Sequence, residues 1–491
     1  MLSVSEIKTF IDQDSTSERK KFAQVGQRYY DGVHDIMGKR LFFINADGKL
    51  EEEKFKSNTR ISHPFFTELT DQVVQHLFSG EDGFIRSDDP GLQKELDARF
   101  NNNDEFKAEF EEICTGCVAK GFENAYAYKD GQNRTRFSCA DSLGVVKVMA
   151  KDTDDHCEYV IRWYIEHIDK NSKQIKRIEV WDKEKTWFYC QVDDGEITPD
   201  ESEEVNPRPH TTYKKKGDER IYYKGFGFIP FLQMNLNRKQ ISGLVLVKDI
   251  IDDYDTMNCG LSNNINDTNE ALYVVSGFEG DKLEELMENI KTKKHIGVSE
   301  NGSVQIETVD IPIDARKAKM EIDEKNIYHF GFGLNISDLK DAAATTNMMV
   351  RAAYVRLDMR THKLKTQAQL FLRDVLDIVL PEINAEKKTD YQQSDVYFSF
   401  EPEPVSSALE NAQIELTEAQ RRQTEINTVL NLQAFIDDET RLQLIAEQLD
   451  MDFEALKNKK PKVTDPAYQA KTALDKVKPE DVQGGEGDVV V

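Results

Sequence analysis

Carboxylates stand close together in the stretch IIDDYD, where Asp252, Asp253 and Asp255 share four successive residues. Grouped carboxylate oxygens are ligands that Mg²⁺ prefers, so this stretch could serve the metal-dependent chemistry of a nuclease. The same spacing also matches the solvated face of a helix, and that interpretation is favoured. A metal-dependent DNA-processing enzyme stays open as an alternative.

One Cys-x-x-Cys motif, Cys114 to Cys117, has the spacing of a redox or zinc site. It lacks the second pair of Cys or His ligands that a zinc site needs, and its surroundings have a helical pattern. The other four cysteines are dispersed along the chain. The sequence therefore predicts reduced thiols, with Cys114 and Cys117 as a structural pair.

Loops that hold phosphate are missing from the sequence. Gly38-Lys39 is followed by arginine and Gly48-Lys49 by leucine, so neither completes the GxxxxGK[ST] pattern of a nucleotide-binding loop. The HExxH pattern of metalloproteases and the GxSxG pattern of serine hydrolases do not occur either. These observations predict a protein that is not an enzyme and that holds no cofactor and no metal.

Charge limits the partners that the chain can hold tightly. The chain has 491 residues, 31% of them charged, and a formal net charge of −26. Tight binding to nucleic acid comes from Lys and Arg that neutralise phosphates, so this chain should meet DNA without gripping it. No apolar run approaches the length of about 20 residues that a membrane span needs, and the first residues lack the pattern of a secretory signal. We expect no membrane partner and a cytoplasm-like compartment.

The first half of the chain predicts helices followed by a sheet. From residue 122 to 230, short runs of β-branched and aromatic residues alternate with turns, which indicates a mainly antiparallel sheet. Pro230 should end this sheet, because proline cannot continue a central strand. Before the sheet, we expect a helix over Val4 to Tyr30, an amphipathic helix within RISHPFFTELTDQVVQHLFSG with Gly80 as its C-cap, a helix over Asn103 to Ala119, and a hairpin turn at Asp47-Gly48.

The second half predicts three long helices. The first, 244–269, is mostly polar around a thin apolar seam, so it should pack against similar helices and face water on much of its girth. A small insert of strands and a short helix, 271–312, separates it from a second helix, 314–330, and the two helices should form the legs of one hairpin. A third helix, 346–380, carries a strong apolar seam and should end at Pro381. A strand, a helical module at 406–458 and a flexible tail follow.

The segment NISDLKDAAATTN at 335–347 lies between the second and third long helices and consists mainly of small residues. Gly331 and Gly333 should end the incoming helix, and Thr345 or Thr346 can cap the outgoing one. Ser337 could instead serve as an N-cap, and the helix would then begin earlier and shorten the loop. Both boundaries stay open.

Three basic side chains, Arg356, Arg360 and Lys363, form a stripe beside the apolar seam of the third long helix. Pairing with acidic residues of a neighbouring element is favoured for them over direct contact with phosphate.

The order of these elements resembles that of the portal proteins of tailed bacteriophages, in particular the type found in long-tailed phages. The resemblance rests on an ordered set of stretches that span most of the chain. They are NTRISHPFFTELTDQVVQHLFSG at 58–80, GFIPFLQMNLNRKQISGL at 227–244, IIDDYDTMNCGLSNNINDTNEALYVVSG at 250–277, and the succession from Gly331 to Leu380.

The resemblance implies an α+β fold, organised as a portal-type subunit. Its regions would be a mixed α/β wing at 1–240, a first stem helix at 241–270, a small α/β clip at 271–312, a second stem helix at 313–333, a tunnel loop at 334–347, a long wing helix with a return strand at 348–404, a helical crown at 405–459 and a flexible tail at 460–491.

The resemblance also implies a function. Subunits of that family form a ring, usually of twelve, at one vertex of the capsid, and double-stranded DNA is packaged and ejected through the ring. The implied partners are the large subunit of the terminase motor, head-completion (adaptor) proteins, and the major capsid and scaffolding proteins. The implied location is the virion, and the host cytoplasm during assembly. Another ring-forming capsid or tail-connector protein stays an alternative.

Two groups of candidate site residues follow from the resemblance. Residues of the tunnel loop would surround the DNA: Asn335, Ser337, Asp338, Lys340, Asp341, Thr345 and Thr346. Acidic residues of the first stem helix would line the channel or contact a neighbouring subunit: Asp249, Asp252, Asp253, Asp255 and Asp267.

Overall fold

In the computed structural model, most strands follow one another between residues 122 and 235, and most helices lie before and after them, which confirms the predicted α+β class. The structure describes residues 1–45, 47–53, 56–80, 83–150, 157–166, 173–193, 195–214, 221–268, 272–278, 298–307, 312–335, 347–400, 408–431, 437–448 and 453. Among these residues, no helix is both long enough and apolar enough to cross a membrane.

The chain divides into two compact units. One comprises Met1–Ala343 together with Arg351–Pro404, and the other comprises Ala344–Val350 together with Val405–Val491. The helices up to residue 387 are α1 (Val4–Ser15), α2 (Glu18–Tyr30), α3 (Phe65–Leu77), α4 (Pro90–Leu96), α5 (Asp104–Lys120), α6 (Lys248–Thr268), α7 (Ile313–Gly331) and α8 (Asn347–Lys387).

The second unit contains two further helices, α9 (Ala408–Asn431) and α10 (Asp438–Gln448), which contact each other. Both lie inside the stretch 406–458 that the sequence predicts to be helical. The predicted tail at 460–491 lies outside the described residues.

The helix predicted over Val4 to Tyr30 is in fact two helices, α1 and α2. Hydroxyl side chains at the junction compete with the backbone: Ser15 Oγ and Thr16 Oγ1 donate to the carbonyl of Asp12, and Ser17 Oγ donates to the carbonyl of Asp14. Bonds of this kind favour helix ends over helix interiors. The prediction of one helix was wrong because it gave these hydroxyls no weight.

The sheets are antiparallel throughout the described pairings, as predicted for 122–230. The strands of this region are β4 (Phe122–Lys129), β5 (Thr135–Ala140), β6 (Val145–Met149), β7 (Cys157–Glu166), β8 (Ile175–Trp181), β9 (Lys185–Val192), β10 (Thr198–Pro199), β11 (Arg208–Pro209), β12 (Thr211–Lys214), β13 (Ile221–Lys224) and β14 (Phe231–Asn235). A three-stranded sheet has the order β14-β4-β5 and a larger one has the order β10-β9-β8-β7-β6, with β11 beside β9. Pro230 does not end the sheet region, because the strand that follows it, β14, takes an edge position where proline is tolerated.

Smaller two-stranded pairings complete the first unit. The turn at Asp47-Gly48 joins two strands as predicted, and Gly48 has a φ of +78°. The insert between α6 and α7 contributes a second antiparallel pair, while the short helix predicted at 281–291 lies outside the described residues. The pairs are β1 (Phe42–Ile44) with β2 (Leu50–Glu52), β12 with β13, β15 (Leu272–Phe278) with β16 (Val298–Glu307), and β3 (Ile85–Arg86) with β17 (Tyr397–Phe398).

The main hydrophobic core lies between α5, α8 and the three-stranded sheet. The rings of Phe110 on α5 and Phe371 on α8 stack 5.9 Å apart at its centre. The apolar seam predicted for the third long helix is buried at Leu357, Leu364, Ala368, Phe371, Leu372, Val375 and Val379.

The prediction that Pro381 ends α8 was wrong, since the helix continues to Lys387 with the exposed proline inside it. The turn after the proline is held by tertiary contacts. Ile383 is fully buried, and the Glu382 carboxylate accepts from Arg99 Nη1 at 2.8 Å and Lys129 Nζ at 2.6 Å. These contacts offset the hydrogen bond that a proline removes from a helix.

Candidate functional site

The two predicted hairpin legs, α6 and α7, pack against each other in antiparallel order. Lys319 Nζ on α7 contacts Asp253 Oδ2 on α6 at 2.5 Å and also pairs with Asp323. Nearer the body, the ring of Phe65 meets Tyr254 of α6 at 5.0 Å and Tyr328 of α7 at 6.0 Å, both edge to face. Ion pairs and aromatic edges therefore hold the legs together.

A segment at 57–63, here named the strap, runs antiparallel along α6. Every second backbone N–H of the strap donates to a side chain of α6, and the acceptors lie four residues apart. The four bonds are His63 N to Asp255 Oδ1 at 3.0 Å, Ile61 N to Cys259 Sγ at 3.2 Å, Thr59 N to Asn263 Oδ1 at 2.6 Å, and Ser57 N to Asp267 Oδ1 at 3.1 Å.

Backbone geometry explains this register. Four residues of an α-helix advance about 6.0 Å, and two residues of extended chain advance about 6.6 Å. The side chains of the alternate strap residues donate hydrogen bonds in the other direction, to backbone carbonyl groups of residues 32–39. These bonds are Asn58 Nδ2 to Lys39 O at 3.1 Å, Arg60 Nη1 to Met37 O at 3.2 Å, and Ser62 Oγ to Gly32 O at 2.6 Å. The strap thereby ties α6 to the segment that follows α2.

The Asp255 carboxylate is the innermost point of this arrangement, with no exposed surface. Its Oδ2 lies 2.6 Å from His34 Nδ1, and its Oδ1 lies 2.7 Å from His63 Nδ1. Burial by itself would raise the pKa of Asp255, but the hydrogen bonds and charges of the two histidines lower it below its usual value. Asp255 therefore holds α6 to two separate segments of the same subunit.

A second polar cluster fixes the start of α6. Lys248 Nζ lies 2.6 Å from Asp252 Oδ2 and 2.6 Å from Asp35 Oδ2, and the Tyr29 hydroxyl donates to the Asp252 carboxylate. The pKa of Asp35 falls to about 2, because the bonds from Lys248 and Arg28 outweigh the effect of burial, which raises it. This cluster links α6 to α2 by charge-assisted bonds.

The five candidate aspartates of the first leg thus have different surroundings in the structure. Asp255 is buried, so its proposed place on a channel lining or subunit contact was wrong. Asp252, Asp253 and Asp267 bind partners within the subunit, and Asp249 is exposed. Among the described residues, no group of three or more His, Cys, Asp or Glu side chains could hold a metal ion.

The end of α7 is fitted closely against α3. The helix ends at Gly331 as predicted, but the left-handed conformation belongs to Phe332, whose φ is +56°. A Cβ at Gly333 would lie 2.2 Å from Leu69 Cδ2, so this glycine serves close packing. The Gln72 amide binds Leu334 twice, since its Nε2 donates to the carbonyl at 2.9 Å and its Oε1 accepts from the N–H at 2.8 Å.

The predicted tunnel loop begins at this contact, with Leu334 as its first residue. Asn335 is half-buried, and its Nδ2 lies 3.4 Å from Glu324 Oε1. The other candidate residues of the loop, Ser337, Asp338, Lys340, Asp341, Thr345 and Thr346, lie outside the described residues.

The basic stripe on α8 has partners other than those predicted. Arg360 donates to the carbonyl of Gly331, at the C-terminal end of α7, where a cation is favoured by the helix dipole. Arg356 contacts His329 of α7, and Lys363 is exposed. The expected pairing with carboxylates was wrong for Arg360, because the end of a helix supplied the acceptor.

Cys114 and Cys117 are both buried free thiols on α5. Burial raises the pKa of each thiol above its usual value, which keeps the thiols protonated. This placement agrees with their prediction as a structural pair.

The sequence interpretation missed the strap, His34, His63 and Gln72. A signal was present in α6, where Asp255, Cys259, Asn263 and Asp267 place a hydrogen-bonding side chain at every fourth position. A polar row of this kind also fits a solvated helix face, so its partner could not be identified from the helix alone.

The described residues form an α+β body and a helical hairpin with a small stranded insert. The family model "Phage portal protein, SPP1 Gp6-like" matches residues 9–455, and the chain belongs to this family. Members of the family are generally structural components of the virion at the capsid vertex, and the family is one of multi-subunit ring assemblies.

Two curated relatives and one solved structure illustrate the likeness. The portal protein of Bacillus phage SPP1 is 25% identical over 349 residues, which are 71% of this chain and 67% of that protein. The portal protein of Clostridium phage phiCD119 is 22% identical over 433 residues, 84% of this chain and 89% of that protein. The match to a chain of the "Neck of native GTA particle computed with C12 symmetry" covers 78% of this chain and 89% of that chain, at 10% identity and a TM-score of 0.36.

Proposed function

We propose that twelve copies of this chain form a ring at one vertex of the phage head, and that double-stranded DNA is packaged and ejected through the centre of the ring. In this proposal α6 and α7 form the stem, the β15–β16 insert forms the clip, and α9 and α10 belong to the crown. The wing comprises residues 1–240 and α8 with its return strand, and the loop at 334–347 surrounds the DNA.

The observation that carries the proposal is the unusual surface of the helical hairpin. Its polar face is used within the subunit by the strap and by the Asp252 and Asp253 contacts. Large apolar side chains of the legs remain exposed at Ile265, Ile313, Ile322 and Phe330. Apolar side chains on a projecting hairpin are suited to burial against neighbouring copies, and contacts between two different faces close into a ring.

The acidic composition fits a channel that lets DNA pass better than a site that binds DNA tightly. A net charge of −26 disfavours tight binding of DNA phosphates, so a duplex could slide in either direction without being held. We propose that the terminase large subunit and later the head-completion proteins dock on the clip, and that major capsid and scaffolding proteins surround the wing during assembly in the host cytoplasm.

A packaging experiment tests the proposal. A phage in which an early stop codon prevents synthesis of this chain should produce heads that contain no DNA, and supplying the intact chain in trans should restore filling. Filled heads in its absence would overturn the proposed role in packaging.

Within the loop, Lys340 is the cation between Asp338 and Asp341, and we propose that these charges pair between neighbouring loops and set their positions. The Lys340→Ala variant should form rings normally but fill fewer heads. Normal filling by this variant would remove the proposed role of Lys340.

A further inference from the structure

An amide side chain of α3 holds the backbone at the point where the chain leaves the α6–α7 hairpin. Gln72 is half-buried on α3. Its Nε2 donates to the carbonyl of Leu334 at 2.9 Å, and its Oε1 accepts from the N–H of the same residue at 2.8 Å. Hydrogen bonds are directional, so two of them on one residue fix the orientation of its backbone as well as its position.

A carboxylate on the preceding turn of α3 fixes the direction in which this amide points. Glu68 Oε1 accepts from Gln72 Nε2 at 3.0 Å, and Glu68 Oε2 accepts from the Tyr328 hydroxyl at 2.8 Å. An ionised carboxylate accepts hydrogen bonds and donates none, so the NH₂ group of the amide must face it. The Gln72 amide can therefore meet Leu334 in one orientation only.

The backbone that leads to Leu334 is held by contacts of its own. Phe332 has a φ of +56°, and the N–H of Gly333 donates to the carbonyl of Tyr328 at 3.0 Å. The Leu334 side chain is itself buried. The chain therefore enters the proposed loop at 334–347 from a fixed point and in a fixed direction.

A small rotation at this point becomes a large displacement further along. An extended chain spans at most about 3.5 Å per residue, so a residue three positions beyond Leu334 can lie about 10 Å away from it. A rotation of about 20° at Leu334 would move such a residue by roughly 3 Å. Displacements of this size matter where loops from all copies surround one duplex.

We infer that Gln72 is a positioning residue for the loop that surrounds the DNA. It acts through Leu334 and sets where, and in which direction, each copy of the loop leaves its subunit. This inference rests on the proposed function, because that proposal assigns the loop at 334–347 to the DNA channel. The bonds of the strap to α6, and the ion pair between Lys319 and Asp253, involve other residues, so rings should form without the Gln72 contact.

The variant Gln72→Met tests this role, because methionine keeps the length of the side chain and makes neither bond to Leu334. Rings should form at the same subunit concentration as those of the parent, whereas the number of DNA-filled heads should fall several-fold. Hydrogen exchange at the Leu334 amide should become faster. Gln75→Met, at an exposed position of the same helix, is the matched control and should change none of these quantities.

A second control separates positioning from a general loss of stability. Asn263→Ala removes one hydrogen bond between the strap and α6, away from the loop, and heads that carry it should fill normally. Glu68→Gln is a milder test of the same contact, because an amide must turn its NH₂ group toward either Tyr328 or Gln72. It should lower the number of filled heads less than Gln72→Met does.

The outcomes distinguish this inference from the proposed function. Normal filling by Gln72→Met, or a folded Gln72→Met protein that forms no rings, overturns the positioning role and leaves the proposed function intact. Circular dichroism checks folding, and if Gln72→Met does not fold, normal filling by Glu68→Gln overturns the role. Heads that fill in the absence of this chain overturn the proposed function and the inference together.

Discussion

The body of the first unit and the α6–α7 hairpin are stabilised in different ways. In the body, α5 buries a continuous set of apolar side chains, among them Phe106, Phe110 and Ile113. In α6, the buried side chains between 248 and 267 are Ile251, Asp255 and Cys259, and two of these three are acceptors for the strap.

This difference has a consequence for assembly. Apolar burial stabilises the body without demanding one direction, whereas hydrogen bonds and ion pairs fix the angle and register of the hairpin. Some apolar side chains of the hairpin, such as Ile251 and Ile327, are buried inside the subunit. Others remain exposed, at Ile265, Ile313, Ile322 and Phe330, and this remaining surface is available for neighbouring copies.

The largest effect should come from the apolar core of the body. Phe371→Ala removes a ring that is 2% exposed and stacks on Phe110, and it should lower the free energy of unfolding by about 3–5 kcal/mol. Leu370→Ala, at the adjacent and 53% exposed position, is the matched control and should change it by less than about 0.5 kcal/mol. Denaturant unfolding followed by circular dichroism compares the two, and equal losses would contradict the assigned core.

The next effect should come from the polar tie at Asp255. The carboxylate oxygens of Asp255 accept hydrogen bonds from the His34 ring, the His63 ring and the His63 backbone N–H. Asp255→Asn replaces one of these oxygens by an NH₂ group and should lower the free energy of unfolding by about 2–3 kcal/mol. Asp249→Asn, on the exposed face of the same helix, should be nearly neutral. If both variants unfold at the same denaturant concentration as the parent, polar ties do not stabilise the hairpin.

Acidification should reduce the effect of Asp255→Asn. The pKa of Asp255 is lowered in the folded protein, so its contribution to stability is present above the ordinary carboxyl value of about 4 and is lost as the pH falls through the folded value. Unfolding of parent and variant over a pH series measures this. A difference in stability that stays constant down to the lowest pH at which both fold would contradict the ionised state.

The smallest effect should come from one bond of the strap. Asn263→Ala removes the acceptor of the Thr59 N–H and should cost about 1 kcal/mol, with faster hydrogen exchange at the Thr59 amide. Ser262→Ala, at the neighbouring half-buried position, should leave that amide protected. Unchanged exchange in Asn263→Ala would show that the strap is held by its other bonds alone.

Sequence reasoning succeeded where the residues of a single helix or turn are enough to predict its structure. The seam of α8 was predicted because apolar residues recur at helical spacing over many turns, and its buried positions confirm it. The turn at Asp47-Gly48 was predicted for a similar reason, since its geometry depends on adjacent residues.

Sequence reasoning failed where the partner is remote in the chain. The polar row on α6 was assigned to solvent, although Asp255 meets His63 from 192 residues away. Pro381 was taken as a helix end, although Ile383 and Glu382 hold the following turn through contacts with distant elements. Arg360 was predicted to pair with a carboxylate, but it donates to the carbonyl of Gly331 at the end of α7. Local patterns predict the elements, and tertiary contacts decide what each polar side chain binds.

Electron microscopy of the purified full-length protein tests the central claim most directly. The account predicts closed rings, viewed end-on with a central opening that α6 and α7 of every subunit surround, and wide enough for a DNA duplex. Monomers at every concentration, or open filaments in place of closed rings, would contradict it.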